Sequence, residues 1–420
     1  MPADKADTYD QDCTEVTTHM KMNRTVRLAI GTTAVVLSAI SLVAVSLLPN
    51  AGATTRAKSD PYLAADTRVN AAATIGGAGS TFAAPLENAA QTLYTSRSQN
   101  ATINGYQAVG SGTGEADIIK KLVDWGGTDV PMLQRDINKN QPSGANYTLS
   151  DFLQIPIGLG GVAIAFNVPS LKVKTLNLTA AVLANIYLGK ISYWNAYSIQ
   201  VLNKKVKLPH SKIIVVARGD SSGTTYIYTN FLHAAAPSVW TTLASKTPLA
   251  LPTDGIAGNG NAGVASDIEN TPNSIGYVEY SYLLLNPGLL KGVAAVINKA
   301  GNAIQPTTAG IALAAASKPK ISSTAFSIVW APGQKTYPIA GYTWAVIWKN
   351  QTTSLAEGTL LVKYLDWLSH SGAADGVTAG QDVAALQGYV PLPANVQALA
   401  RTTLLQCTYN GKALLTTNGW

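Results

Sequence analysis

The stretch Val216-Ala-Arg-Gly-Asp-Ser-Ser-Gly-Thr-Thr-Tyr226 constrains this chain more than any other. The apolar run Ile213 to Val216 leads into it and reads as a strand, and Thr225 to His233 leaves it as a helix. Between them stand one cation (Arg218), one carboxylate (Asp220), the hydroxyls of Ser221, Ser222 and Thr224, and Gly223. A strand that ends in small and hydroxyl residues and opens a helix presents unpaired backbone N–H groups at the positive end of the helix dipole. That junction suits an anion, and its geometry suits a tetrahedral oxyanion.

The same grammar recurs upstream. Thr74-Ile-Gly-Gly-Ala-Gly-Ser-Thr-Phe-Ala-Ala-Pro85 reads as a strand, a glycine-rich turn and the start of a helix running from Leu86 to Tyr94. A strand over Ala101–Tyr106 precedes Val109-Gly-Ser-Gly-Thr-Gly114, with a helix expected over Glu115–Val123. Asp124-Trp-Gly-Gly-Thr-Asp-Val-Pro131 is a strand and turn that ends on the carboxylate of Asp129. Alternating strand and helix implies an α/β layout with parallel strands, whose ligands sit beyond the carboxyl ends of the strands. All four loops fall at that edge. Gly110-Ser-Gly-Thr-Gly114 lacks the spacing and the lysine of a nucleotide P-loop.

Two long apolar strands, Ile155–Asn167 and Tyr337–Trp348, are the segments expected to cross between two domains, which 420 residues can accommodate. Between them lie a helix over Leu178–Leu188, an aromatic loop over Gly189–Asn195, a flexible glycine/asparagine loop over Asp254–Gly263 that opens a helix, and a strand over Ile275–Tyr280. Residues 300–335 are polar and give no clear element. Helices are expected over Leu360–Ser369, with Leu360, Tyr364 and Trp367 on one face, and over Asn395–Leu405.

At the other end, residues 1–20 read as a polar, acidic tail, with Met20 and Met22 as alternative starts. Lys21, Arg24 and Arg27 then precede an uncharged run, Leu28 to Leu48, followed by Ala51-Gly-Ala53. This is either a signal peptide cleaved after Ala53, the reading we favour, or a retained anchor. Both place the rest of the chain outside the cytoplasm, as an extracellular, cell-surface or periplasmic protein. Residues 54–72 read as a polar linker.

The net charge of +7 is scattered, with no basic run that suits nucleic acid. Two cysteines, Cys13 and Cys407, form no disulfide framework, and four dispersed histidines (His19, His210, His233, His370) give no metal spacing. Neither Ser111 nor Ser222 has a histidine near it in sequence to serve as base, so no catalytic residue and no metal or other cofactor is expected.

Six motifs in order, Gly77–Pro85, Gly110–Gly114, Asp124–Pro131, Ile186–Trp194, Arg218–Thr225 and Ile275–Tyr280, make residues 74 to 400 resemble the substrate-binding proteins of phosphate ABC transporters. The resemblance implies the type II periplasmic-binding-protein fold: two α/β lobes joined by crossing strands, with a ligand cleft between them. The lobes would be 73–157 with 338–420, and 158–337. It implies a non-enzymatic, monomeric protein that binds inorganic phosphate in the cleft, closes about hinges near Ile155–Gly161 and Tyr337–Gly341, and delivers phosphate to membrane permease subunits. Carried over by position, Thr81 and Phe82 would give backbone N–H groups, with the Thr81 hydroxyl. Ser111 would give hydroxyl and N–H, and Asp129 would accept the proton of monohydrogen phosphate. Arg218 would supply charge, braced by Asp220, and Ser222, Gly223 and Thr224 would complete the shell. Ser80 and Ser221 are supporting candidates; Ser221 stands where the family often has glycine. A secreted phosphatase on the same scaffold, or a receptor for another oxyanion, is the alternative.

Overall fold

The computed structural model describes residues 72–98, 101–289, 292–324, 326–372 and 378–415. The tail, the signal-or-anchor segment and the linker up to residue 71 lie outside them. Among the described residues, eight strands form one sheet: β1 (Ala73–Gly79), β2 (Ala101–Gln107), β3 (Trp125–Thr128), β4 (Phe152–Asn167), β5 (Ile214–Arg218), β6 (Ile256–Gly258), β7 (Ser274–Glu279) and β8 (Ala340–Trp348). Their order is β2-β1-β3-β8-β4-β7-β5-β6.

β4 organises the whole. It is a 16-residue strand, buried from Phe152 to Phe166, and a near-continuous apolar run is what a strand covered on both faces needs. From Phe152 to Gly161 it pairs antiparallel with β8, and from Val162 to Asn167 antiparallel with β7. One strand therefore belongs to two half-sheets. In the first, β1 pairs in parallel with β2 and β3; in the second, β5 pairs in parallel with β6 and β7. The expected parallel layout is thus corrected to a mixed sheet, because β4 and β8 run against their neighbours. Each half has its own core: Ile118, Ile119, Met132, Ile137, Phe152 and Val346 in the first, and Val216, Val264, Ile268, Val278 and Leu283 within the second.

Among the described helices are α1 (Ala84–Arg97), α2 (Ser111–Ile119), α3 (Gly223–Ala235), α4 (Gly260–Asn270) and α5 (Leu355–Ser369), and the starts of α2, α3 and α4 position the site. The helix expected from Glu115 instead starts at Ser111 and stops at Ile119, so the Gly-Ser-Gly motif is the helix's first turn and not a loop before it. Asp254–Gly263 contains a strand, β6, and α4 begins inside it. Residues 300–335, read as featureless, hold a short strand, Ala303–Ile304, and a helix, Thr308–Ser317, whose N-cap Thr307 accepts the Gly310 N–H at 3.1 Å. On α5, Leu360, Tyr364 and Trp367 are buried as the spacing requires. No described helix is long and apolar enough to cross a membrane. Cys407 is buried, and burial pushes its thiol up to about 12, which disfavours the thiolate.

Candidate functional site

The ends of β1, β3 and β5 and the starts of α2, α3 and α4 meet between the two half-sheets. α3 starts where the sequence demands a cap. Ser222 is its N-cap, and the Ser222 hydroxyl accepts the Thr225 N–H at 3.1 Å. The residues ahead of it are fixed by Arg218 at the end of β5. The Arg218 Nε donates to Asp220 Oδ1 at 2.7 Å, and the Nη2–Oδ2 bond completes a bidentate pair. A third donor, Nη1, reaches Thr224 Oγ1 at 3.2 Å. Tyr277 on β7 holds the base of the loop: its hydroxyl accepts the Arg218 N–H at 3.2 Å and pairs with Thr225 Oγ1 at 2.7 Å. The Arg218 side chain is 1% exposed, so its charge is spent in a low-dielectric interior.

Facing this loop are the first half's residues. Ser80 Oγ accepts the N–H groups of Phe82 and Ala83 at 3.0 and 3.3 Å, and donates to Asp129 Oδ1 at 2.6 Å. Ser111 Oγ accepts the N–H of Asp129 at 3.3 Å and that of Gly223 at 3.2 Å, and lies 3.4 Å from Asp129 Oδ2. Ser111 thus links the first half to the N-terminus of α3. Close approach requires glycine at 223: a Cβ there would overlap Asp129 Oδ2 and Ser111 Oγ. Ser221 sits against α2, its carbonyl accepting the Gly112 N–H at 3.0 Å.

All eleven sequence-predicted residues therefore fall in one neighbourhood. Ser80, Thr81, Phe82, Ser111, Asp129, Arg218, Ser222, Gly223 and Thr224 are buried, while Asp220 and Ser221 are partly exposed. Two details lay outside the expectation: Ser80 Oγ accepts the Phe82 N–H, and Ser80 as well as Ser111 bonds the Asp129 carboxylate.

Asn261, in the first turn of α4, was missed. Its N–H and its Nδ2 both reach Thr81 Oγ1, at 3.2 and 3.0 Å, and Nδ2 also reaches Thr224 Oγ1 at 3.1 Å. The signal was there in the Asn-Gly-Asn run at 259–261, but an asparagine in a glycine-rich turn reads first as turn chemistry.

Two carboxyls shape the field. Burial pushes Asp129 up to about 6, against the opposing pull of the Ser80 and Thr343 hydroxyls and the Arg218 charge. Burial pushes Glu279 up to about 8, which favours its neutral form beside Asp129. Among the described residues no group of His, Cys, Asp and Glu could hold a metal. Six of the eleven predicted residues carry hydroxyls and one is a buried guanidinium: the chemistry suits a tetrahedral oxyanion, with one carboxylate able to accept a proton from it.

Known proteins resemble this chain in sequence and in fold. A model of the PBP superfamily domain matches residues 51–371. A phosphate-binding protein PstS of Haemophilus influenzae is 32% identical over 325 residues, covering 77% of this chain and 90% of the relative. One from Methanocaldococcus jannaschii is 34% identical over 309 residues, covering 69% and 75%. Among solved structures, a high-affinity periplasmic phosphate-binding protein (PfluDING) bound with phosphate has a TM-score of 0.62 at 21% identity, covering 79% of this chain and 94% of the other. A phosphate-binding protein from Stenotrophomonas maltophilia has a TM-score of 0.60 at 20% identity, covering 78% and 93%. These structural likenesses bear on the fold alone, a mixed α/β architecture of the periplasmic-binding-protein kind.

Proposed function

We propose a function on one premise: this chain belongs to the phosphate-binding protein family of the PBP superfamily. It is a binding protein and not an enzyme. It captures inorganic phosphate between its two half-sheets and delivers it to the permease of an ABC importer. It acts outside the cytoplasm. The lobes are 73–157 with 338–420, and 158–337, and they close by hinge rotation where β4 changes partner. The protein works as a monomer that binds no nucleic acid, and its N-terminal segment exports it, by cleavage after Ala53.

The observation that carries the reading is Ser111, whose hydroxyl meets Asp129 from one half-sheet and the Gly223 N–H from the other. It puts an acceptor and a helix N-terminus in one buried cluster. A buried dianion needs each oxygen paired, because an unmet buried polar group costs about 1–3 kcal/mol and a charged one more. The Thr81, Ser111, Ser222 and Thr224 hydroxyls, the N–H groups of Gly223 and Thr224 (the first shared with Ser111) and the guanidinium of Arg218 provide that pairing. Phe82 contributes only an N–H shared with Ser80. Asp129 then decides identity. It accepts a hydrogen bond from the proton of monohydrogen phosphate, whereas sulfate has no proton to give and meets repulsion.

Isothermal titration of the full chain with phosphate, arsenate and sulfate tests the reading. Phosphate should bind with sulfate excluded. Turnover of a chromogenic phosphate ester that is lost in Ser111→Ala would overturn it in favour of a phosphatase.

A further inference from the structure

Thr81 and Thr224 stand on opposite half-sheets, and both are buried. A threonine hydroxyl has two acceptor lone pairs and one proton. Thr81 Oγ1 accepts from the Asn261 N–H at 3.2 Å and from Asn261 Nδ2 at 3.0 Å. Thr224 Oγ1 accepts from Arg218 Nη1 at 3.2 Å and from Asn261 Nδ2 at 3.1 Å. Each hydroxyl accepts twice. Each is left with its proton to give, in the one remaining tetrahedral direction.

The amide that imposes this is itself fixed. Asn261 is 0% exposed. Its Oδ1 accepts the N–H of Glu279 at 3.0 Å, and a backbone N–H can only donate. The oxygen therefore faces β7, and the NH₂ faces the two threonines with one hydrogen for each. The backbone ahead of it is set by Gly260, whose φ of +67° lies in the left-handed region and whose N–H is held by Asp220 Oδ1 at 3.2 Å. The same carboxylate that grips Arg218 thus anchors the turn that presents Asn261.

We propose that Asn261 is a positioning residue for anion specificity: it locks the Thr81 and Thr224 hydroxyls as donors to the bound oxyanion. A freely rotating hydroxyl can turn a lone pair toward an incoming oxygen, whereas one whose lone pairs are both taken cannot. Asn261 adds no charge of its own, and by touching a residue from each half-sheet it couples this locking to the closed arrangement. The inference rests on the phosphate-binding reading.

The test is calorimetric titration of the full chain with inorganic phosphate. Asn261→Leu keeps the bulk of the side chain and removes the amide; it should weaken phosphate by about 10- to 100-fold, the equivalent of one or two net hydrogen bonds. Asn261→Ser, read the same way, replaces it if the leucine variant loses its ligand-free melting transition. Asn261→Asp, which is isosteric but turns the donors into an acceptor, should weaken phosphate further still. The decisive readout is a cycle with Thr81→Val/Thr224→Val. If Asn261 acts through the hydroxyls, Asn261→Leu costs less than about twofold in that background. Should binding there be too weak to measure, the cycle is run on Thr224→Val alone, where the loss must shrink by at least about threefold. A leucine variant within about twofold of the parent, or losses that simply multiply, overturns the assignment and leaves phosphate binding standing. A parent that binds neither phosphate, arsenate nor sulfate removes both.

Discussion

Ser80 Oγ donates to Asp129 Oδ1 at 2.6 Å, across 49 positions of sequence, with Ser80 0% and Asp129 2% exposed. The bond commits one carboxylate oxygen. The second, Oδ2, is approached by the Ser111 hydroxyl at a longer 3.4 Å. A serine expected only to support the site therefore makes the shorter of the two serine bonds to this carboxylate.

Asp129→Asn should lower the preference for phosphate over sulfate by about 100-fold or more, since an amide NH₂ can donate to a sulfate oxygen where the carboxylate repelled it. Phosphate affinity should fall by much less. Equal relative affinity for the two anions in parent and variant, by calorimetry, removes Asp129 from the role.

Gly223→Ala should weaken phosphate by about 10- to 100-fold, because the added methyl overlaps Asp129 Oδ2 and Ser111 Oγ and the two halves can no longer meet. Ligand-free stability should change little if the lobes can part to relieve the overlap. Titration and a thermal melt of the same sample separate the two effects.

Glu87 gives a pH dependence away from the site. It accepts from Tyr364 Oη at 2.6 Å, Trp125 Nε1 at 3.1 Å and Gln91 Nε2 at 3.3 Å, and burial pushes it up to about 7. A carboxyl raised in the folded state stabilises the fold below its ordinary value near 4.5 and loses that contribution as pH rises through 7. The stability gap between parent and Glu87→Gln, from urea unfolding, should therefore shrink by up to about 3 kcal/mol between pH 4.5 and 7.5. A gap that widens over that range contradicts the assignment.

Lys246 ties the Arg218–Thr224 loop to the opposite half. Its carbonyl accepts the Ser222 N–H at 2.8 Å, and its Nζ pairs with Glu115 on α2 and, at 3.2 Å, with Asp136. Lys246→Met strands a buried carboxyl and should destabilise the protein by about 2–4 kcal/mol, most of it recovered in Lys246→Met/Glu115→Gln. It should also loosen the closed arrangement, read as a larger ligand-free radius of gyration by X-ray scattering. If scattering from the parent is identical with and without phosphate, hinge closure is absent and this effect goes with it.

The sequence by itself determined the local grammar. Strand, small-residue turn and helix start are all encoded within about a dozen residues, by apolar periodicity, caps and glycines. That is why the Arg218–Thr224 loop, the Gly-Ser-Thr turn at 79–81, Ser111 and Asp129 were all legible as anion equipment. It is also why the long apolar run from Ile155 to Asn167 could be read as a crossing strand. Tertiary structure alone decided how these parts are wired. Pairing partners of β4, the mixed sheet direction and the start of α2 at Ser111 depend on contacts far apart in the chain, which no local pattern carries. The polar network depends on them even more. Ser80 finds Asp129, and Asn261 finds Thr81 and Thr224, only after burial removes water as their partner and each remaining donor must find an acceptor. The opening loop was thus legible as a strand-to-helix turn rich in donors, but the partners of its Thr224 hydroxyl, Arg218 and an asparagine on a different helix, were settled by the tertiary fold.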